Sequence, residues 1–143
     1  MKDITLSITG VHFYDNEEGD RMEFVTEGKM YQRGETIYLT YDESYITGLE
    51  GCTTRLALKG DTVRMVRRGK SIKIDTEMRF EKGQRYLGYY DTELGPIEME
   101  LLTNELKNDV TYDNACGTID IDYDISLKGL AEGHSRLNIQ VCS

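Results

Sequence analysis

The chain has 143 residues, of which 38% are hydrophobic and 30% charged, and its formal net charge is −9 at pH 7. A chain of this length buries roughly two thirds of its unfolded surface, so we expect one domain over residues 1–143 without a disulfide or a metal. The acidic balance argues against a nucleic-acid partner, and no apolar run reaches the ~18 residues of a membrane span, so we expect no membrane association.

The N-terminal residues begin a strand pattern at once. Ile4, Leu6 and Ile8 share one parity, and polar residues occupy the other. Because strand side chains alternate between two faces, this pattern predicts a half-buried antiparallel strand, and the same parity turns His12 inward. The segment lacks the apolar stretch and cleavage site of a secretory signal, so we expect a cytoplasmic location.

Further alternating runs follow, each closed by a glycine or an Asn/Asp turn, for about ten strands in all. Gly28, in the middle of the second run, suggests a bend or a bulge. The predicted inward residues of the later runs are Met22, Phe24, Thr26, Gly28, Met30, Ile37, Leu39, Tyr41, Leu56, Leu58, Val63, Met65, Ile72, Ile74, Met78, Phe80, Tyr86, Gly88, Tyr90, Ile97, Met99, Leu101, Ile119, Ile121, Tyr123, Ile125, Leu127, Leu137, Ile139 and Val141. The stretch 103–114 has no strong period, and both a helical turn and a long loop remain open there.

The last two runs predict a hairpin. If Ile121 pairs with Leu137, the same register places Cys116 opposite Cys142 on the outer face. A disulfide is geometrically conceivable at this position, but a reducing cytosol argues against it. The three cysteines have no Cys-x-x-Cys spacing, so we predict no metal site and no cofactor.

Two charged clusters have plain interpretations. Asp120, Asp122 and Asp124 alternate on one strand about 7 Å apart, which is too open for a calcium cage and favours a solvated face. The basic cluster of Arg64, Arg67, Arg68, Lys70 and Lys73 is interpreted as a solvated hairpin end rather than an anion site.

Ten antiparallel strands with one apolar face form either a two-sheet sandwich or a barrel. A barrel removes exposed strand edges, and mid-strand glycines such as Gly28 and Gly88 permit the coiling that closure requires. We therefore predict an all-β fold, a single antiparallel up-and-down β-barrel of about 8–10 strands.

A family resemblance covers most of the chain. Its segments are Glu23-Phe24-Val25-Thr26-Glu27-Gly28, Tyr41-Asp42-Glu43-Ser44 with Gly48-Leu49-Glu50-Gly51, Arg67-Arg68-Gly69, Phe80-Glu81-Lys82-Gly83, and Tyr90-Asp91-Thr92 with Gly95-Pro96. In order and spacing they resemble the bacterial DUF1934 (YwiB-like) family. The resemblance implies a lipocalin-like, calycin-type barrel in a cytoplasmic protein, and it brings no established activity.

Candidate site residues are polar residues whose parity points inward, because a buried charge costs several kcal/mol unless it is paired. Glu43 and Arg67 form either a structural ion pair or a pair of ligand contacts at the barrel mouth. Tyr41, Tyr90 and Tyr123 bring hydroxyls into an apolar interior, where they are core residues or cavity contacts. Two more candidates complete the set, namely His12 at a strand end and Glu50 in a glycine-flanked loop.

The leading hypothesis is that the barrel binds a small, apolar ligand carrying an anionic group that Arg67 recognises. The alternative is a protein-interaction module that uses the acidic outer face or the loops, with Tyr38 and Tyr89 pointing outward. An enzyme is less favoured, with Glu43, His12 and Glu50 as its acid–base groups. The oligomeric state, monomer or homodimer, stays open.

Overall fold

The computed structural model describes residues 1–14, 17–43, 51–69, 76–92, 95–128 and 131–143. Ten β-strands account for most of this part of the chain. They are β1 (Lys2–Tyr14), β2 (Glu17–Arg33), β3 (Thr36–Asp42), β4 (Cys52–Lys59), β5 (Thr62–Gly69), β6 (Thr76–Glu81), β7 (Arg85–Thr92), β8 (Gly95–Asn108), β9 (Gly117–Leu127) and β10 (Ala131–Cys142).

All ten strands belong to one antiparallel sheet, in the order β6-β5-β4-β3-β2-β1-β10-β9-β8-β7. Consecutive strands pair with each other except β6 and β7, and β1 also pairs with β10. The terminal strands β6 and β7 approach each other, so the sheet curls into a nearly closed barrel. The predicted up-and-down barrel is confirmed.

Tyr86 lies at the seam between these two terminal strands. Its hydroxyl is 3.4 Å from Glu77 Oε2, and the guanidinium of Arg79 lies 5.9 Å from the centre of its ring. An aromatic ring flanked by charged groups thus covers the place where the described ladder of β-pairs ends.

The core follows the alternation of the sequence. Its largest fully buried side chains include Leu6, Met30, Leu39, Leu56, Leu58, Phe80, Met99, Leu101, Ile119, Ile121 and Ile139. Removing such a side chain from water stabilises the fold by about 1.5–3 kcal/mol. These side chains therefore pack a large part of the barrel interior.

The first half of the stretch 103–114 is strand. β8 continues to Asn108, and residues 112–115 form a turn closed by a bridge between Thr111 and Cys116. The β8–β9 register shifts between Thr103 and Glu105, which marks a bulge. A bulge inserts one residue, so the parity of the inward residues changes there. For this reason the sequence shows no single alternating period over 103–114.

Gly28 is not a bulge. The β1–β2 pairing passes through Ile4 and Gly28 without a shift. A Cβ at Gly28 would lie 2.6 Å from the carbonyl oxygen of Thr40 and 2.8 Å from Cδ1 of Leu6. The glycine is required by close packing of neighbouring strands, and the register shift of β1 against β2 lies instead at His12.

The terminal hairpin has the predicted register, with Ile121 paired to Leu137. In the part of the chain that the structure describes, no helix is long and apolar enough to cross a lipid bilayer.

Candidate functional site

A cavity of about 420 Å³ opens inside the barrel, between β1, β2, β5–β7, β9 and β10. Much of its wall is apolar, formed by Met65, Met78, Phe80, Ile125, Leu127 and Leu137. The edge of the Tyr123 ring packs against Phe80, with ring centres 5.0 Å apart. The polar groups within this wall come from His12, Arg67, Tyr90, Tyr123 and Ser135.

A larger recess of about 720 Å³ lies outside the barrel, with Arg85, Glu100, Asp124, Glu132 and His134 in its lining. Most of these charged side chains are already engaged with one another on a solvated surface, as in the contact of Arg85 with Glu100. Small-molecule sites are mostly apolar with a few placed polar groups. The smaller interior cavity fits that description better than the larger outer recess.

A buried polar cluster next to the cavity consists of Tyr41, Glu43, Thr54 and Arg67. Arg67 belongs to both, because it also lines the cavity. Its Nη2 lies 3.6 Å from Oε1 of Glu43, and its Nε donates a hydrogen bond of 3.3 Å to the hydroxyl of Thr54. That hydroxyl donates in turn to Glu43 Oε1 at 2.6 Å. The carboxylate side chain is only 2% exposed and that of Arg67 16%, so both charges are largely removed from water.

Tyr41 completes this polar cluster from β3. Burial raises the pKa of its hydroxyl far above the usual value, and the negative charge of Glu43 raises it further. Hydrogen bonding with Thr54 and the positive charge of Arg67 act in the opposite direction. Tyr41 is therefore a neutral hydroxyl inside the fold, and its ring lies 6.5 Å from that of Phe24.

The opposite wall of the cavity carries a second set of polar contacts. His12 Nδ1 lies 2.7 Å from the hydroxyl of Ser135, which also hydrogen-bonds with Tyr123. The imidazole packs over the backbone of Gly133, where an added Cβ would come within 2.4 Å of the ring. The glycine thus creates the space that lets His12 turn into the barrel.

The charge around the cavity differs from that of the whole chain. Three arginines line it, Arg21, Arg67 and Arg136, against two acidic residues, Asp20 and Glu132. The whole chain has the reverse bias, with 17 lysines and arginines against 26 acidic residues. Arg21 and Arg136 are more than half exposed and contact carboxylates of the outer surface. Arg67, with its side chain 16% exposed, is therefore the arginine that supplies positive charge on the inner side of the cavity.

The predicted site residues fall into three groups. His12, Arg67, Tyr90 and Tyr123 line the cavity. Glu43 and Tyr41 are buried in the polar cluster next to Arg67. Glu50 lies outside the described residues.

Sequence reasoning missed Thr54 and Ser135, which join the predicted residues through hydrogen bonds. Thr54 is fully buried and Ser135 is 7% exposed. Both share the parity of their strand's apolar residues, Leu56 and Leu137, so the alternation carried the signal. Parity alone does not mark such a residue as part of a site, because Thr76 and Thr103 are buried in the same way.

The basic cluster splits between the two faces of β5. Arg67 lies inside, Arg64 is bound to Glu77 on the outer side at 2.5 Å, and Arg68 is exposed. Lys70 and Lys73 lie outside the described residues. Only Arg67 of the described members therefore belongs to the candidate site.

The aspartates of β9 take part in surface contacts. His134 lies 3.1 Å from Asp122 and 2.8 Å from Asp124, and Arg136 reaches Asp120 and Asp122 at about 4 Å. Among the described residues, no group of three His, Cys, Asp or Glu side chains is arranged to hold a metal ion.

The two outward tyrosines differ in their surroundings. Tyr38 stacks on Tyr31, with ring centres 4.9 Å apart, and the guanidinium of Arg55 lies 5.5 Å from its ring centre. Tyr89 on β7 is 58% exposed. Tyr38 is thus part of the packed outer surface, and Tyr89 is presented to solvent.

Comparisons with known proteins agree on the fold. A family model described as "Domain of unknown function (DUF1934)" matches residues 6–139. The crystal structure of the ywiB protein from Bacillus subtilis is similar, with a TM-score of 0.81 and 24% sequence identity over 99% of this chain and 91% of that chain. No curated protein matches the sequence.

Proposed function

This chain belongs to the DUF1934 family, whose function is unknown, and we propose that its barrel binds a small molecule with an apolar body and an anionic group. The single observation that carries this proposal is the position of Arg67, which lines an apolar cavity inside the barrel. We include a cytoplasmic location in the proposal, which fractionation of the native cells tests.

The cavity has the size and composition of a ligand site. Its volume of about 420 Å³ lies within the range of roughly 300–1,000 Å³ for small-molecule pockets. The sulfur and ring atoms of Met65, Met78 and Phe80 provide polarisable surface for an apolar body. Hydroxyls from Tyr90, Tyr123 and Ser135 supply a few polar contacts that orient it.

Arg67 supports the assignment of an anionic group. A guanidinium has five N–H donors in a planar fork that matches carboxylate, sulfonate and phosphate geometry. Thr54 and Glu43 fix this fork from one side, so little side-chain entropy is lost when a ligand binds from the cavity. Arg67 is therefore a preorganised donor within an apolar wall.

Native mass spectrometry of the protein isolated gently from its own cells tests the proposal directly. We expect a co-purifying small molecule that is lost on denaturation and whose measured mass identifies it. If the spectrum shows only the mass of the polypeptide, under conditions that preserve a known weak complex, the interaction-module alternative is favoured. The same spectrum gives the oligomeric state.

Fluorescent probes test the role of Arg67. Anilinonaphthalene sulfonate carries an apolar ring system with one anionic group, and N-phenylnaphthylamine is its uncharged counterpart. We expect Arg67→Met to weaken binding of the anionic probe by about tenfold or more, since a charge-assisted hydrogen bond contributes on the order of 1.5–3 kcal/mol. Binding of the neutral probe changes little.

Two controls accompany the probes. Arg79→Met removes an exposed arginine of the outer surface and leaves both affinities unchanged. Leu137→Trp fills the cavity and weakens both probes. Equal loss of both probes in Arg67→Met, with circular dichroism unchanged, would remove the anionic group from the proposal. Binding that survives Leu137→Trp would place the probes outside the barrel.

The enzyme alternative rests on His12, Glu43 and Glu50. His12 lines the cavity beside the hydroxyl of Ser135, and Glu43 lies in the polar cluster with Thr54. If the co-purifying molecule is chemically changed on incubation with the protein, the turnover rates of Glu43→Gln and His12→Ala test whether these groups are catalytic. Unchanged turnover in both variants would exclude these groups as acid–base catalysts.

A further inference from the structure

Two thiols face each other at the end of the terminal hairpin that lies away from the cavity. Cys116 directly precedes β9, and Cys142 is the last residue of β10. Gly117 and Val141 form the last pair of the β9–β10 ladder, and Cys116 and Cys142 are the next residues beyond it. Their sulfur atoms are 3.5 Å apart, with Cys116 partly exposed and Cys142 exposed.

The backbone at this place is compatible with a covalent bridge. Directly opposed residues of antiparallel strands have Cα atoms about 4.5–5.5 Å apart. A disulfide accepts Cα separations of about 4.4–6.8 Å and brings the sulfurs to about 2.0 Å. We expect side-chain rotation to close the remaining distance between the sulfurs while the strands keep their register.

The two thiols are chemically unequal. Hydrogen bonding from the Ser143 backbone, and next from the Cys142 thiol, lowers the pKa of Cys116. The neighbouring Cys116 thiol raises the pKa of Cys142. Since the thiolate is the nucleophile, we expect Cys116 to attack first and Cys142 to resolve the mixed disulfide.

We propose that Cys116 and Cys142 form a reversible dithiol site that a low-molecular-weight disulfide, such as oxidised glutathione, converts into an intramolecular disulfide. The Cys116 thiolate attacks one sulfur of the oxidant, whose disulfide bond breaks and releases one glutathione thiolate. Cys142 then loses its proton and attacks the Cys116 sulfur, releasing the second glutathione. Two protein thiols are oxidised, and one glutathione disulfide is reduced to two thiols.

Cys52 provides an internal comparison. It opens β4, its side chain is 1% exposed, and its partner in the ladder is Gly69 on β5. Burial shields its sulfur from a dissolved oxidant, so exposed and opposed thiols are predicted to react and Cys52 is not. Exposed cross-strand disulfides are typically the labile ones, which is the property of a reversible site.

Equilibration of the folded protein in glutathione buffers of graded redox potential tests the proposal. Samples are quenched with an alkylating agent and analysed by intact and peptide mass spectrometry. We expect a species lighter by two hydrogens, with residues 116 and 142 cross-linked, Cys52 retained as a thiol, and full reversal by dithiothreitol. The Cys52→Ser variant behaves in the same way.

Single variants separate the steps. Cys142→Ser removes the resolving thiol, so a stable glutathione adduct at Cys116 is expected in place of the bridge. The proposal is overturned if the wild type accumulates adducts without losing two hydrogens. It is also overturned if the bridge joins two chains, or if it involves Cys52.

Discussion

Arg67 and Glu43 form an ion pair inside the barrel, with Nη2 of the arginine 3.6 Å from Oε1 of the glutamate. The hydroxyl of Thr54 bridges them, because it accepts a hydrogen bond from Arg67 and donates one to Glu43. Oε2 of Glu43 has no hydrogen-bond partner among the described residues. A carboxylate held in this way depends on the neighbouring guanidinium for its stabilisation.

Arg67→Met is expected to destabilise the fold by on the order of 3 kcal/mol, because it leaves the carboxylate of Glu43 buried without a counter-charge. Glu43→Gln keeps the shape and the contact with Thr54 and costs less. The double variant is expected to be more stable than Arg67→Met alone, since no buried charge remains. Urea unfolding of the four proteins gives the free energies and the coupling between the two sites.

An exposed pair serves as the control for this cycle. Lys29 and Asp3 contact each other on the surface, where ion pairs contribute about 0–1 kcal/mol. Lys29→Met should therefore change the free energy of unfolding only slightly. Additive effects of Arg67→Met and Glu43→Gln would show that the two charges do not stabilise each other.

Thr54→Val removes the bridging hydroxyl and keeps the size of the side chain. This hydroxyl hydrogen-bonds with two charged groups, Glu43 and Arg67, so we expect a loss of about 1.5–3 kcal/mol. Thr53, its exposed neighbour, contacts Asp42 and provides the control Thr53→Val. A similar small loss in both variants would mean that Thr54 does not hold the ion pair together.

Alternation alone predicted most of this site. The inward parity of Glu43 and Arg67 was visible because each continues the period of its strand, and both side chains lie inside the barrel. Contacts between strands could not be predicted from alternation. Thr54 pairs with Tyr41 on one side and Arg67 on the other, a relationship that depends on the register of three strands.

Bulges limited the sequence reasoning elsewhere. The shift between Thr103 and Glu105 changes the inward parity within β8, so no single period spans 103–114. A bulge changes the local pairing through backbone geometry, and no particular residue type in the sequence predicts it. The strand pattern was therefore clear up to Leu101 and undecidable beyond it.

Gly133→Ala is expected to displace His12, since the new methyl group would lie 2.4 Å from the imidazole. The ring can move, at the cost of its contact with Ser135, so we expect a loss of about 1 kcal/mol. In the background of His12→Ala the same change should stabilise the protein by about 0.5–1 kcal/mol, because alanine suits a strand better than glycine.

The effect of Gly133→Ala on the free energy of unfolding should therefore change sign between the wild type and His12→Ala. This change of sign distinguishes a steric role of Gly133 from a general effect on the strand. Denaturant unfolding of wild type, both single variants and the double variant measures it. Loss of stability by Gly133→Ala in both backgrounds would show that something other than the His12 ring requires the glycine.

Alkaline pH should weaken the fold through Tyr41 and Tyr123. Burial raises the pKa of both hydroxyls in the folded state, and the charge of Glu43 adds to the rise at Tyr41. In the unfolded chain a tyrosine titrates near pH 10. Above that pH the unfolded state binds fewer protons than the folded state, so the free energy of unfolding falls as pH rises.

The stability that these hydroxyls contribute is complete below about pH 10 and is lost between that pH and the raised pKa of the folded state. Each buried tyrosine adds about 1.4 kcal/mol per pH unit to the slope once its unfolded form is ionised. Tyr41→Phe and Tyr123→Phe should each remove one such contribution from the dependence measured by urea unfolding at several pH values. In an ultraviolet titration, Tyr41 and Tyr123 of the folded wild type should ionise at a higher pH than ordinary tyrosines. In the urea-unfolded protein all tyrosines should ionise near pH 10. An unchanged slope in both variants would mean that neither hydroxyl stays protonated inside the barrel above pH 10.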